Sequence, residues 1–186
     1  MEKSVVEEIL SQAEKLLETK DFIIIAIDGR CASGKTTLAY ELRQKLNCNT
    51  IHMDDFFLRP EQRTKERYDE IGGNVDYERF EEEVLASLKA NAEFEYRPFD
   101  CHTLDFKEPI KVVPNKITVI EGSYSCHDKF GKYYDINIFL DADKDTQLER
   151  IKKRNGTSAL QMFKDKWIPL EERYFENKEI TWRKYE

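Results

Sequence analysis

Eight consecutive residues carry the strongest chemical signal. Gly29-Arg30-Cys31-Ala32-Ser33-Gly34-Lys35-Thr36 matches GxxxxGK[ST], the phosphate-binding P-loop. Its glycines let the backbone wrap a phosphate closely, so that successive N–H groups and a helix N-terminus point inward. Lys35 supplies a point charge to the β- and γ-phosphates, and the Thr36 hydroxyl can ligate magnesium. The expected ATP-binding stretch is Gly29 to Thr37, with an apolar run before it and a helical pattern after it.

A P-loop needs a second acid at the magnesium. Glu121 directly follows the apolar run Ile117 to Ile120, and a parallel strand would deliver it at the C-terminal edge of a sheet. A kinase also needs a base near the γ-phosphate. Ile51-His52-Met53-Asp54-Asp55-Phe56-Phe57 supplies a short strand ending in two carboxylates and two aromatics. Neighbours on an extended segment point opposite ways, so only one of the two acids can face the phosphates. A polar turn after an edge strand fits the same residues, and spacing leaves the two readings level.

Other classes fall away. A GTPase needs NKxD, but Asn115-Lys116 is followed by Ile117-Thr118, and neither DxxG stretch, at Asp69 or at Asp128, follows an apolar strand. The net charge of -7 argues against binding nucleic acid, which requires a basic surface. Four scattered cysteines without a CxxC pair, and three histidines without ligand spacing, give no zinc site or disulfide framework. The longest apolar run, Phe22 to Ile27, is too short to span a bilayer, and the acids of the first ten residues rule out a signal peptide. A cytoplasmic location is expected, with no membrane partner.

The elements needed to position these residues are legible as an alternation. With 40% hydrophobic and 36% charged residues, 186 residues suffice for one α/β domain. Val5 to Leu17 has helical apolar spacing; Phe22 to Asp28 is a continuous apolar, β-branched run, the mark of a strand buried on both faces. Thr36 to Leu46 is predicted helical, Thr50 to Met53 a strand, Asp76 to Ala90 a helix, Ile117 to Ile120 and Asn137 to Leu140 strands. Thr146 to Arg154 is predicted helical, as is Leu160 to Phe175, with a break or kink at Pro169. Arg59 to Asn74, polar and ending near Gly72-Gly73, reads as a mobile segment, and Asn91 to Asn115 as a hairpin or a loop over the active site. Trp167, Tyr174, Phe175 and Trp182 read as packing residues, and the polar tail from Glu176 to Glu186 carries no apolar strand. The fold class is α/β: a P-loop NTPase with a doubly wound parallel sheet, helices on both faces and a small lid.

Together, the P-loop, His52 to Phe57 (HMDDFF), Asn74 to Phe80 (NVDYERF), Val119 to Gly122 (VIEG) and Leu140 to Arg154 resemble the uridine kinase family of P-loop kinases, to which phosphoribulokinase-like and nicotinamide riboside kinases are related. The resemblance implies that Asp54 is the catalytic base and that Asp76 binds ribose hydroxyls. It implies that Glu121 assists Thr36 at magnesium. It also implies that Arg150 stacks on adenine while Arg154 reaches the phosphates from a lid at about 154–165. Phe56 or Phe57, with Phe99, would wall the acceptor pocket, and His102 loosely matches the family's base-reading histidine.

The resulting expectation is a single domain over 1–186 that transfers the γ-phosphate of ATP, with Mg2+, to a hydroxyl of a nucleoside-like small molecule, uridine or cytidine first. Another acceptor (nicotinamide riboside, a pantothenate-like compound or a sugar alcohol) and a non-catalytic ATP-binding regulatory module are the alternatives. A homo-oligomer is compatible with the sequence.

Overall fold

The computed structural model describes residues 4–177 and 183–185. Ser4 caps the first helix, α1 (Val5–Leu17): its hydroxyl accepts from the Glu7 N–H, and the Glu7 carboxylate accepts from the Ser4 N–H. The apolar run that follows is strand β1 (Ile23–Gly29), buried at all seven positions. Helix α2 (Lys35–Leu46) and strand β2 (Asn49–His52) come next, then a 3-10 turn over Met53–Phe56.

The segment expected to be mobile is folded. It holds a short turn at Pro60–Gln62 and helix α3 (Lys65–Asp69). Its polarity goes into local anchoring: Arg67 donates to Gly73 O and Val75 O, both at 2.9 Å, pairs with Glu78, and lies over the Tyr77 ring at 3.9 Å. The predicted helix after it comprises α4 (Tyr77–Phe80), one wide π turn (Glu81–Leu85) and α5 (Ala86–Lys89), with Asp76 as its N-cap. Between Asn91 and Asn115, four short strands make two nested antiparallel pairs. β3 (Phe94–Tyr96) pairs with β6 (Ile110–Val112), and β4 (Phe99–Asp100) pairs with β5 (Asp105–Phe106).

Strands β7 (Ile117–Glu121) and β8 (Ile136–Leu140) are followed by the long helix α6 (Lys144–Met162). A π turn (Phe163–Trp167), helix α7 (Ile168–Glu176) and strand β9 (Arg183–Tyr185) complete the described chain. The break expected at Pro169 lies instead at Gly156, whose φ of 83° and ψ of 170° interrupt α6. Pro169 follows directly on the π turn, and the helix continues through it: the Ile168 N–H still reaches Phe163 O, and the wide turn accommodates the proline's missing N–H. The tail does contribute a strand, β9, which pairs parallel with β8; Trp182 lies outside the described residues.

The main sheet has the order β2-β7-β1-β8-β9, parallel throughout. Alternate residues of β1 enter opposite cores, as the period-2 pleat requires. Ile23, Ile25 and Ile27 pack with Ile9, Ala13, Leu38 and Leu42 from α1 and α2. Ile24 joins Ile51, Ile120, Phe80, Leu85 and Tyr174 on the other face. The fold is a doubly wound α/β sheet with helices on both faces. Its parallel direction brings the C-terminal ends of β1, β2 and β7 to one edge, where ligands bind in such sheets.

Candidate active site

The P-loop joins β1 to α2. Ala32 (φ 59°) and Gly34 (φ 103°) adopt left-handed backbone, which turns successive N–H groups toward a common centre. No side chain caps α2, so its first N–H groups and its positive dipole end are left for an anion. The Lys35 side chain arches over the loop, donating to Gly29 O at 2.9 Å and Arg30 O at 2.7 Å. The Ser33 hydroxyl is buried without a partner, and a Cβ on Gly34 would meet nothing within 4 Å. The cradle therefore has donors and room, and both suit a phosphate chain.

Glu121 arrives by strand register. It lies level with Ile27 of β1 and His52 of β2, at the ends of three adjacent strands. Its carboxylate accepts from the Thr36 hydroxyl at 3.1 and 3.2 Å. Its Oε1 also lies 2.5 Å from His52 Nδ1, a contact that raises the histidine's pKa. No motif announces this contact for His52; the available signal is its position at a strand end level with Glu121.

The two acids after β2 diverge. Asp54 lines the cleft, open to solvent. The surrounding protein mass pushes its carboxyl up, Glu121 and Asp55 add to that, and Lys35 and Arg154 pull it down. Asp55 turns away and accepts from the Tyr96 hydroxyl at 3.2 Å.

Helix α7 clasps the start of the P-loop, a feature no motif announces. Asp28, fully buried, accepts from the N–H groups of Gly29, Tyr124 and Cys126 and from the Tyr174 hydroxyl, at 2.7 to 3.0 Å. Burial pushes its carboxyl up against the pull of those donors. Glu171 accepts from the Cys31 N–H at 3.0 Å and lies 2.8 Å from the Ser123 hydroxyl. The Arg30 side chain points outward to Asp141 and Glu172, leaving its backbone to the loop. Burial beside Glu171 raises the Cys31 thiol to about 12, so it stays protonated and unreactive at neutral pH.

The cleft above the loop encloses about 2110 Å³, ample for a nucleotide and a second small molecule. Thr37, Phe57, His102, Arg150 and Arg154 line it together with the P-loop, and Arg150 donates to Ala32 O at 3.1 Å. Arg154 donates to Asn155 at 2.7 Å, just before the break at Gly156, and Ala159, Met162 and Phe163 continue the wall beyond that break.

Two expected acceptor contacts are not in the wall. Phe99 is buried against Phe106, with ring centroids 5.6 Å apart. Asp76 is 2% exposed: it caps α4 through the Arg79 N–H, accepts from Gln62 at 2.9 Å and lies between Arg59 and Arg79. Its charge is taken up by the turn it organises. Elsewhere, His127 has partners that spacing did not suggest: Nδ1 accepts from the Lys129 N–H and Nε2 contacts Ile71 O.

For a magnesium ion the donors fit. Among the described residues no group of three or more His, Cys, Asp or Glu side chains could hold a metal. Magnesium on a nucleotide needs only one or two protein oxygens besides phosphate and water, and Thr36 beside Glu121 provides them. No described helix is long and apolar enough to cross a membrane.

Comparison with known proteins bears on the fold and the family. The family described as AAA domain matches residues 25–178. A uridine kinase of Lactococcus lactis subsp. lactis (strain IL1403) is 27% identical over 181 residues, covering 84% of each chain. Among solved structures, a Bacillus stearothermophilus protein named as a possible uridine kinase superposes with a TM-score of 0.70. It is 21% identical, and the match covers 96% of this chain and 100% of that one. A Silicibacter sp. TM1040 protein named for a fructose transport system kinase superposes with a TM-score of 0.75 at 20% identity, covering 94% and 95%. The chain therefore belongs to the family described as AAA domain, as a P-loop kinase similar to the uridine kinases.

Proposed function

We propose that this kinase transfers the γ-phosphate of ATP to a hydroxyl of a small, nucleoside-like acceptor, with uridine and cytidine the first candidates. The observation that carries the reading is the convergence on one cleft of Lys35, the Thr36–Glu121 pair and the open carboxylate of Asp54. In the proposed step Asp54 accepts the hydroxyl proton as the acceptor oxygen attacks the γ-phosphorus. The bond from that phosphorus to the β–γ bridging oxygen breaks, and ADP leaves. Lys35 and the loop N–H groups hold the phosphates, and Arg154 adds positive charge from the lid side. Magnesium, held by Thr36 and Glu121, would neutralise charge developing on the phosphate oxygens.

The burial of Asp76 and Phe99 favours a second reading, in which the same chemistry serves a different hydroxylated acceptor. The Silicibacter relative's name places D-fructose in the panel beside nucleosides. The test is ADP release from Mg·ATP across uridine, cytidine, nicotinamide riboside, pantothenate and D-fructose, with wild type beside Asp54→Asn. Acceptor-dependent release is expected to fall at least about a hundredfold in the variant, the scale of a lost general base, while ATP affinity stays within about threefold. If no acceptor raises ADP release above the variant's level while ATP still binds, the chain is a nucleotide-binding regulatory module.

A further inference from the structure

The segment from Arg59 to Arg79 holds four arginines, and three of them have acids. Arg59 pairs with Glu61 and approaches Asp76, Arg67 pairs with Glu78, and Arg79 pairs with Glu83. Arg63 is exposed and lines the cleft, and no described carboxylate lies within ion-pairing reach of it. The scheme above gives this cation nothing to do.

The guanidinium is nevertheless held in place. Its Nε donates to the Leu58 carbonyl at 3.0 Å, and Nη2 lies 3.8 Å from the Sγ of Cys101, a weak acceptor in the turn between β4 and β5. Leu58 and Cys101 line the cleft with Asp54, Phe57 and His102. A planar fork anchored at Nε presents its Nη groups as a unit, the geometry that matches the paired oxygens of a carboxylate or phosphate. Among the described residues that line the cleft between positions 54 and 102, Asp54 is the only acid. Nearby carboxylates are engaged elsewhere: Glu61 with Arg59, Asp100 with Lys107, and Asp76 with Gln62. The charges of Arg63 and Asp54 both reach the Cys101 thiol, so a small molecule seated against it has a base and an uncommitted cation at hand.

We infer that Arg63 selects the acceptor by binding a carboxylate or phosphate group on the same small molecule whose hydroxyl faces Asp54. A neutral nucleoside or sugar leaves the fork to water. An anionic acceptor forms a charge-assisted, bidentate pair with it, and in a cleft such a pair is screened less than on an open surface. This acceptor class deepens the reading in which the kinase serves a different hydroxylated acceptor, and it rests on phosphoryl transfer for the fate of the hydroxyl, not for binding.

The experiment measures binding by calorimetry, with a non-hydrolysable ATP analogue filling the phosphate cradle. The matched probes are pantothenate against panthenol, uridine 5′-monophosphate against uridine, and D-fructose 6-phosphate against D-fructose. Wild type is expected to bind the anionic member of at least one pair about tenfold or more tightly, the scale of hydrogen bonds to a charged group. Which pair shows the preference separates a carboxylate from a phosphate. Arg63→Gln should bring that ratio to within about twofold, with the affinities of the neutral probe and the ATP analogue unchanged. Cys101→Asp, at an exposed position, sets a carboxylate against the intact guanidinium and should remove the preference as well, which keeps the test open if Arg63→Gln misfolds. A wild type without such a preference in any pair overturns the inference, and so does a preference that survives in either folded variant. An Arg63-dependent preference with no ADP release from Mg·ATP on the bound probe would keep the anion site and overturn phosphoryl transfer. ADP release on neutral acceptors with no anionic preference would do the reverse.

Discussion

Asp54 and Asp55 are adjacent, chemically identical and differently employed. Both sit in the 3-10 turn over Met53–Phe56, where neighbouring side chains project about 120° apart, and the Tyr96 hydroxyl takes Asp55 out of the cleft. Asp54 is left among opposing influences, in which surrounding protein, Glu121 and Asp55 outweigh Lys35 and Arg154 and raise its pKa. A base must be ionised to act, so activity should fall as pH drops through the folded-state value of Asp54, which lies above the ordinary carboxylate figure of about 3.9. Removing a cation that favours the carboxylate raises that value further. Arg154→Ala should therefore shift the acid limb of the kcat/KM profile to higher pH, by less than about one unit, since the arginine is exposed and screened. An acid limb that stays in place in Arg154→Ala would remove Asp54 from the role of base or Arg154 from its neighbourhood. The His52–Glu121 contact has its own pH sense. With the histidine raised by Glu121, the pair stabilises the fold in full below about pH 6.5, and the contribution is lost as pH rises through the folded value.

At the scale of elements, the two ends of the P-loop use glycine for different reasons. Gly29 has φ 138°, and a Cβ there would sit 2.0 Å from the carbonyl oxygen of Leu140 on the adjacent strand. Gly34 has φ 103°, but its missing Cβ faces open space at the start of α2. Gly29→Ala should therefore cost more than about 4 kcal/mol and leave little folded protein by near-UV circular dichroism. Gly34→Ala should fold, with a loss of about 1–2 kcal/mol from the strained backbone, and bind Mg·ATP at least about tenfold more weakly because the methyl fills the cradle. Equal melting temperatures for the two variants would refute this division. Gly156 belongs to the same scale: it kinks α6 just past Arg154, and Ala159 and Met162 beyond the kink line the cleft.

Across the whole molecule, the loop is held from behind by α7, roughly 140 residues away in sequence. Tyr174 reaches Asp28, Glu171 reaches the Cys31 N–H, and Glu172 reaches Arg30. Two buried tyrosines in contact differ: the Tyr174 hydroxyl has a carboxylate partner at 2.8 Å, while the Tyr124 hydroxyl lies beside the Asn74 side chain. Tyr174→Phe should destabilise the protein by about 1.5–3 kcal/mol in urea unfolding, the usual loss for a hydrogen bond to a charged group. A loss under about 0.5 kcal/mol would mean that Asp28 is neutral or held without the phenol.

The sequence by itself determined the phosphate loop, its flanking strand and helix, the alternation of a parallel α/β sheet and the glutamate at the end of β7. Each of these is local: a pattern of types within about ten residues, tied to a periodicity or a turn that only certain residues can make. Tertiary structure alone decided the rest. Asp76 reads as a ligand residue because capping and ligand binding call for the same side chain; in the fold it caps α4 and lies between Arg59 and Arg79. The segment from Arg59 to Asn74 reads as mobile because polarity is shared by solvated loops and by loops pinned through an arginine. Glu171 carries no motif, since its partners, Cys31 and Ser123, come from distant parts of the chain. Local signals survive in sequence because neighbours in the chain share them. The use of a carboxylate or a phenol is set by whatever the fold brings within about 3 Å, and that distance has no counterpart in sequence spacing.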